Sequence, residues 1–211
     1  MFIFDLDYTL YRTDLVVRDM KQIFLGFGID ESLFLSSYRE TINWSGKGYG
    51  FDYSFEKHIT FLQKLGIIIN MKDSVKKLET CIKKEYLCED AISFLQFLKI
   101  YDDPIVLLTA GNPDFQKMKV KKIGLEAYID HAYYLHGNKD LFIRDMLDHE
   151  KRIIFINDNH KENAMVQEIS DAVVVIGKRN PIKYFVEGQG VGNIPYFDTL
   201  KEIELYVRER I

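Results

Sequence analysis

Two aspartates stand two residues apart in the segment FIFDLDYTLY: Asp5 and Asp7 follow a short apolar run, and Tyr8 and Thr9 come directly after them. Three later apolar runs lead to polar residues in the same way. IVLL precedes Thr109, Ala110, Gly111 and Asn112, HAYYL precedes Lys139, and IIFI precedes Asn157, Asp158 and Asn159, with Glu162 close behind. A carboxylate at the end of a buried strand is costly to desolvate unless something pairs with it. Carboxylates that converge from separate strands suit a hard divalent cation, which prefers oxygen ligands. A threonine hydroxyl, free backbone amides and a lysine ammonium are the groups that hold a phosphoryl dianion. Taken together these residues point to phosphoryl transfer assisted by Mg²⁺. Asp5 and Asp7 as mere turn caps is the weaker reading, because burying both beside Asp158 without a cation leaves like charges unpaired.

The elements that must position them fall into two textures. Residues 12–88 read as helices only: TDLVVRDMKQIFLGFGI, DESLFLSSYRETINW after a capping Asp30, SFEKHITFLQKLGI and KDSVKKLETCIKKEYL. From residue 89 helical stretches alternate with strand-length apolar runs: DAISFLQFLKIY then PIVLLTAG, PDFQKMKVKKIGL then HAYYL, KDLFIRDMLDHE then RIIFIND, KENAMVQEI then AVVVIG. Such alternation predicts a parallel sheet with crossover helices, and chemistry at the carboxyl ends of its strands. The expected fold is α/β: a Rossmann-like parallel sheet with helices on both faces, formed by residues 1–11 and 89–211, with residues 12–88 inserted as a helical cap.

The bounds agree with a single catalytic unit of this kind. The chain has 211 residues, 47% hydrophobic, enough for a substantial core. Its formal charge of −4, from 28 basic and 32 acidic side chains, carries no basic surplus for nucleic acid. Cys81 and Cys88 are too few for a disulfide framework and read as reduced thiols about two turns apart on one helix. No apolar run reaches the roughly 18 residues of a membrane span. The expectation is a soluble, cytoplasmic protein, monomer or homodimer, acting on a small phosphorylated substrate without nucleic-acid or membrane partners.

FDLDYTLY resembles the first motif of the haloacid dehalogenase-like (HAD) hydrolases, an aspartate, any residue, a second aspartate and then threonine. VLLTAGN is similar to their second motif, NKDLFIRDML to the segment that carries their lysine, and IIFINDNHKENA to their fourth motif. The four lie in the family's order, from residue 5 to residue 164, and residues 12–88 fall where many members carry a helical cap. The resemblance implies that Asp5 attacks phosphorus to form an aspartyl-phosphate, and that Asp7 protonates the leaving oxygen and later activates water. It implies that Thr109 and the amides around Ala110 hold the phosphoryl oxygens, and that Lys139 neutralises charge between nucleophile and phosphate. Mg²⁺ would be held by Asp5, the backbone carbonyl of Asp7, Asp158 and Glu162, the last directly or through water. Tyr8 and Thr9 begin the turn that, in the family, opens and closes with the cap. Asn157 stands where members often have Gly, Glu162 where Asp is usual, and Tyr8 where Gly or Asn is common.

The remaining candidates are assigned by position. Asn112 begins a helix with Pro113 and adjoins the phosphoryl loop; Trp44 and Lys47, with Tyr49, are expected to face the substrate from the cap. The lysines 117, 119, 121 and 122 read as a solvated helix face, and His58, His131, His136, His149 and His160 as surface or loop residues. An acid at Asp7 argues against dehalogenation, since a departing halide needs no proton. Phosphatase chemistry is therefore expected, with a phosphomutase or a catalytically idle binding protein of the same fold as the alternatives.

Overall fold

In a computed structural model, which describes residues 1–43, 52–180 and 193–210, six strands form one parallel sheet. They are β1 (Phe2–Phe4), β2 (Ile105–Ala110), β3 (His131–Leu135), β4 (Ile153–Asn157), β5 (Val173–Lys178) and β6 (Tyr196–Phe197), in the order β3-β2-β1-β4-β5-β6. The chain runs from β1 outward to β2 and β3, then returns to the other side of β1 to lay down β4. A crevice at the carboxyl ends of the strands follows from that reversal.

The pleat divides the apolar residues between two faces. Phe2, Phe4, Ile105, Leu107, Ile154 and Ile156 join one core cluster, with residues of α5 (Ala91–Leu98), α6 (Pro113–Ile123) and α9 (Leu200–Arg210). Ile3, Val106, Leu108, Ile153 and Phe155 join the other, with residues of α7 (Lys139–Met146) and α8 (His160–Gln167). Burial on both faces is why β1, β2 and β4 read as continuous apolar runs, broken only at their carboxyl ends by Thr109 and Asn157, rather than alternating. Each fully buried Phe, Leu or Ile contributes about 1.5–3 kcal/mol. Neither β6 nor α9 is assigned by the sequence reading.

Between β1 and β2 lie α1 (Thr13–Gly26), α2 (Glu31–Asn43), α3 (Phe55–Lys64) and α4 (Met71–Leu78), which pack on one another through Phe24, Phe34, Ile59, Leu62 and Leu78. The sequence reading extends the last of these helices to Leu87. Instead α4 ends at Leu78, and 3₁₀ turns follow at Glu79–Cys81 and Lys84–Tyr86. The return connection pairs with the outgoing one. Lys83 N–H donates to the Tyr11 hydroxyl at 3.0 Å, which donates back to the Lys83 carbonyl at 3.1 Å. Arg12 N–H donates to the Tyr86 carbonyl at 2.7 Å, and Cys88 N–H to the Leu10 carbonyl at 2.9 Å. A continued helix would have used those backbone groups internally. Cys81 and Cys88 are thus not on one helix, and both are free thiols. Among the described residues no helix is long and apolar enough to cross a membrane.

Candidate active site

The short strand β1 releases the chain at Asp5, whose N–H still donates to the Ile156 carbonyl of β4 at 3.0 Å. That bond holds the Asp5 backbone at the carboxyl edge of the sheet, and the residue is only 5% exposed. Lys139, equally buried, opens α7 after Asn138 turns the chain at φ 58°. Its ammonium donates to Asp5 Oδ1 at 2.7 Å and to Glu162 Oε2 at 2.8 Å. Glu162 sits in the first turn of α8, where the Asn159 side chain caps the helix by accepting from the Lys161 and Glu162 amides. Asn157 Nδ2, at the end of β4, donates to Glu162 Oε2 at 3.1 Å and to Asn163 Oδ1 at 3.0 Å.

The electrostatics follow from burial and mutual repulsion. Burial pushes the Asp5 carboxyl up to about 6; Glu162 and Asp7 add to the rise, and Lys139 opposes it. Desolvation and the negative charge of Asp5 push Asp158 up to about 8, against Lys139 and a 3.0 Å bond from Asn180 Nδ2 to Asp158 Oδ2. Burial alone would lower the Lys139 pKa, but Asp5 and Glu162 outweigh it and hold the ammonium above its ordinary range.

Asp7 points elsewhere. Its Oδ1 accepts from Thr13 Oγ1 and Lys119 Nζ, and its Oδ2 from Gln116 Nε2 at 3.0 Å. Burial raises this carboxyl too, but Lys119, Thr13 and Gln116 together bring it below its ordinary value. The solvated-face reading of the lysine run fails here: Lys119 is 2% exposed, while Lys117, Lys121 and Lys122 remain near the surface. Helix α6 buries Gln116, Lys119, Val120 and Ile123, an i, i+3, i+4, i+7 stripe, so Lys119 must lie inside.

Tyr8 takes φ 62°, the left-handed backbone that explains why Gly or Asn suits this position. Thr9 and Thr109 are buried, and among the described residues their hydroxyls have no hydrogen-bond partner; the same holds for Asn157 Oδ1. Such orphaned buried groups are rare in folded proteins and leave these oxygens open to a polar ligand or to water. The Ala110 carbonyl accepts from Gln116 Nε2 at 3.3 Å, and Gly111 N–H is taken by the Leu135 carbonyl at 2.8 Å. Asn112, expected to contact substrate, is committed at both ends. Its Oδ1 caps α6 by accepting from Phe115 N–H, and its Nδ2 donates to Asp52 Oδ1 at 3.0 Å. Trp44, Lys47 and Tyr49 lie outside the described residues.

The metal shell expected from the sequence also changes. Among the described residues no three His, Cys, Asp or Glu side chains form a cluster able to hold a metal ion. The Asp7 carboxylate is taken by its three donors, while Asp5 Oδ1 and Glu162 Oε2 share the Lys139 ammonium. Asp5 and Asp158 are two carboxylates whose mutual repulsion helps raise Asp158. That pair fits Mg²⁺, which commonly takes one or two carboxylates and keeps several waters.

Sequence reasoning missed Lys119, Gln116, Thr13 and Asn180. It also placed His58 at the surface. His58 is fully buried among Phe24, Phe34, Tyr38 and Tyr53, with Nε2 2.8 Å from Ser37 Oγ and Nδ1 3.0 Å from the Tyr53 hydroxyl.

The chain has the haloacid dehalogenase-like fold. Its structure superposes on a protein from Burkholderia xenovorans provisionally described as a haloacid dehalogenase-like hydrolase, with a TM-score of 0.81 and 16% identity, over 99% of this chain and 96% of the other. It matches an L-2-haloacid dehalogenase from Xanthobacter autotrophicus with a TM-score of 0.64 and 14% identity, over 100% and 98%. A HAD family hydrolase from Deinococcus radiodurans, with bound phosphate and sodium, gives a TM-score of 0.60 and 16% identity, over 99% and 94%. No protein-family model matches the sequence, and no curated protein matches it.

Proposed function

We propose that this chain is a Mg²⁺-dependent phosphomonoester hydrolase of the haloacid dehalogenase-like family, acting on a small phosphorylated metabolite with residues 12–88 as its cap. The observation that carries the reading is the bridge from the buried Asp5 and Lys139 to Glu162 at the carboxyl edge of the sheet, with the unsatisfied Thr109 hydroxyl near the end of the adjoining strand β2. Asp5 attacks the phosphorus and forms an aspartyl-phosphate as the leaving oxygen departs. Lys139 offsets the charge that nucleophile and phosphate would otherwise set against each other, and Thr109 donates to a phosphoryl oxygen. Asp7, two residues beyond Asp5, is assigned the proton to the leaving oxygen and then the one from the water that opens the intermediate, for which the bonds it accepts from Lys119, Thr13 and Gln116 must give way. Asp5, Asp158 and the Asp7 carbonyl would hold the metal, which when bound neutralises phosphoryl charge. The presence of Asp7 favours this chemistry over dehalogenation, for which the same fold is also used in Xanthobacter autotrophicus.

Turnover of p-nitrophenyl phosphate by the purified chain, with Mg²⁺ and with EDTA, tests the proposal, with an L-2-haloacid as the control substrate. Phosphate release that needs Mg²⁺ and disappears in Asp5→Asn supports it. Halide release without phosphate release, or neither, overturns it.

A further inference from the structure

Asn157 ends β4 fully buried, and its amide faces two residues of α8. Its Nδ2 donates to Glu162 Oε2 at 3.1 Å and to Asn163 Oδ1 at 3.0 Å. Asn163, also fully buried, donates from its own Nδ2 to the Asn157 carbonyl at 3.1 Å and to the Tyr196 hydroxyl at 3.3 Å. Turning the Asn157 amide over would set its oxygen against the Glu162 carboxylate and the Asn163 oxygen, so its orientation is fixed. Packing gives no reason for two amides here, because taking each from water costs free energy that its bonds only restore. What the pair supplies is direction for Glu162. That side chain is 31% exposed and free to point to solvent unless its bonds hold it. Lys139 and Asn157 donate to the same oxygen, Oε2, so the Lys139 ammonium stands between two carboxylates, 2.7 Å from Asp5 Oδ1 and 2.8 Å from Glu162 Oε2. With Glu162 withdrawn, Asp5 would be its one acceptor among the described residues.

We propose that Asn157 is a positioning residue: with Asn163 it holds Glu162 Oε2 on Lys139, and so keeps that ammonium shared between Asp5 and Glu162 instead of drawn wholly onto the nucleophile. This inference rests on the phosphatase reading. A shared ammonium leaves more of the Asp5 charge for the attack and can turn toward the phosphoryl oxygens as charge develops there. An ammonium bonded to Asp5 alone ties up the attacking group. Glu162 then serves as counter-ion to the lysine, in keeping with the lack, among the described residues, of three acidic, His or Cys side chains clustered to hold a metal.

The test measures kcat and KM on p-nitrophenyl phosphate at saturating Mg²⁺ for the wild type, Asn157→Ala, Glu162→Gln and the double variant. Calorimetry gives Mg²⁺ binding to the wild type and Asn157→Ala without substrate. In Asn157→Ala kcat is expected to fall at least about tenfold while KM stays within about threefold, the pattern of an interaction made in the transition state. Mg²⁺ affinity is expected to stay within about threefold, since every charge in the site is kept. In the Glu162→Gln background the Asn157 substitution is expected to add less than about twofold, because its effect runs through Glu162. Asn163→Ala frees the Asn157 amide without touching Glu162; it is expected to show the same loss in kcat and serves if Asn157→Ala does not fold. An unchanged kcat, a loss carried by KM, a full additional loss on top of Glu162→Gln, or weakened Mg²⁺ binding in Asn157→Ala overturns the positioning role and leaves the phosphatase reading standing. A wild type that releases no phosphate overturns both.

Discussion

Replacing Asp5 by Asn should make the metal-free protein more stable while abolishing its activity. The carboxyl is 5% exposed, and burial lifts it from 3.8 to about 6. The folded state therefore keeps this proton up to about pH 6, whereas the unfolded chain gives it up near 3.8. Between those values the folded state binds more protons, so stability falls as pH rises from 3.8 to about 6 and stays low above it. A shift of about 2 units at 1.36 kcal/mol each makes the loss about 3 kcal/mol. Asn keeps the shape, cannot ionise, and still offers Lys139 an oxygen, while Lys139 retains Glu162. At about pH 8 in EDTA, Asp5→Asn should exceed the wild type by about 3 kcal/mol, a rise in Tm of about 6–12 °C for a chain of this size. Near pH 3.5, where both states of the wild type are largely protonated, the difference should nearly vanish. Urea denaturation at the two pH values measures both. An Asn variant that is less stable at about pH 8, or a difference that ignores pH, would refute the claim that Asp5 sits in a site built for reaction at the expense of stability.

Other outcomes follow from the same contacts. Lys139→Met leaves Asp5 and Glu162 without their shared cation; it should remove turnover and cost about 3–5 kcal/mol in chemical denaturation at neutral pH. His58 is buried without charge, and desolvation lowers its pKa from 6.5 to about 4. The unfolded chain thus takes up a proton first, so His58 contributes a loss of about 3 kcal/mol as pH falls from about 6.5 to about 4, read in urea titrations as the pH-dependent difference between the wild type and His58→Gln. A Cβ at Gly177 would lie 2.1 Å from the Tyr196 ring, so Gly177→Ala should destabilise by about 1–3 kcal/mol, read from the shift of the thermal midpoint.

The strand ends were legible because a parallel sheet buried on both faces writes its strands as apolar runs, and Asp5, Thr109 and Asp158 close such runs, whereas Lys139 follows β3, a half-exposed edge strand. What escaped is a single pattern seen three times. Gln116 and Lys119 on α6, His58 on α3 and Glu204 on α9 are polar side chains on otherwise apolar i, i+3, i+4, i+7 stripes. Their chemistry suggests solvent, but their spacing places them inside, where each finds a partner: Asp7 for Gln116 and Lys119, Ser37 and Tyr53 for His58, Lys201 and Arg208 for Glu204. Asp7 lies 112 residues from Lys119 and Ser37 lies 21 from His58, and periodicity within one segment carries no trace of either; the partners of Glu204 are on its own helix. The end of α4 at Leu78 escaped for a related reason, since the lysine-rich segment beyond it has helical propensity but its backbone is claimed by Tyr11.

The most direct examination of the nucleophile is a rapid acid quench during turnover of a phosphomonoester with Mg²⁺, followed by mass analysis of the proteolysed chain. A hydroxylamine-labile phosphoryl group on the peptide that contains Asp5, absent from Asp5→Asn, is the expected result. Steady turnover with no phosphoryl adduct on that peptide, or an adduct at another residue, would contradict Asp5 as the attacking group.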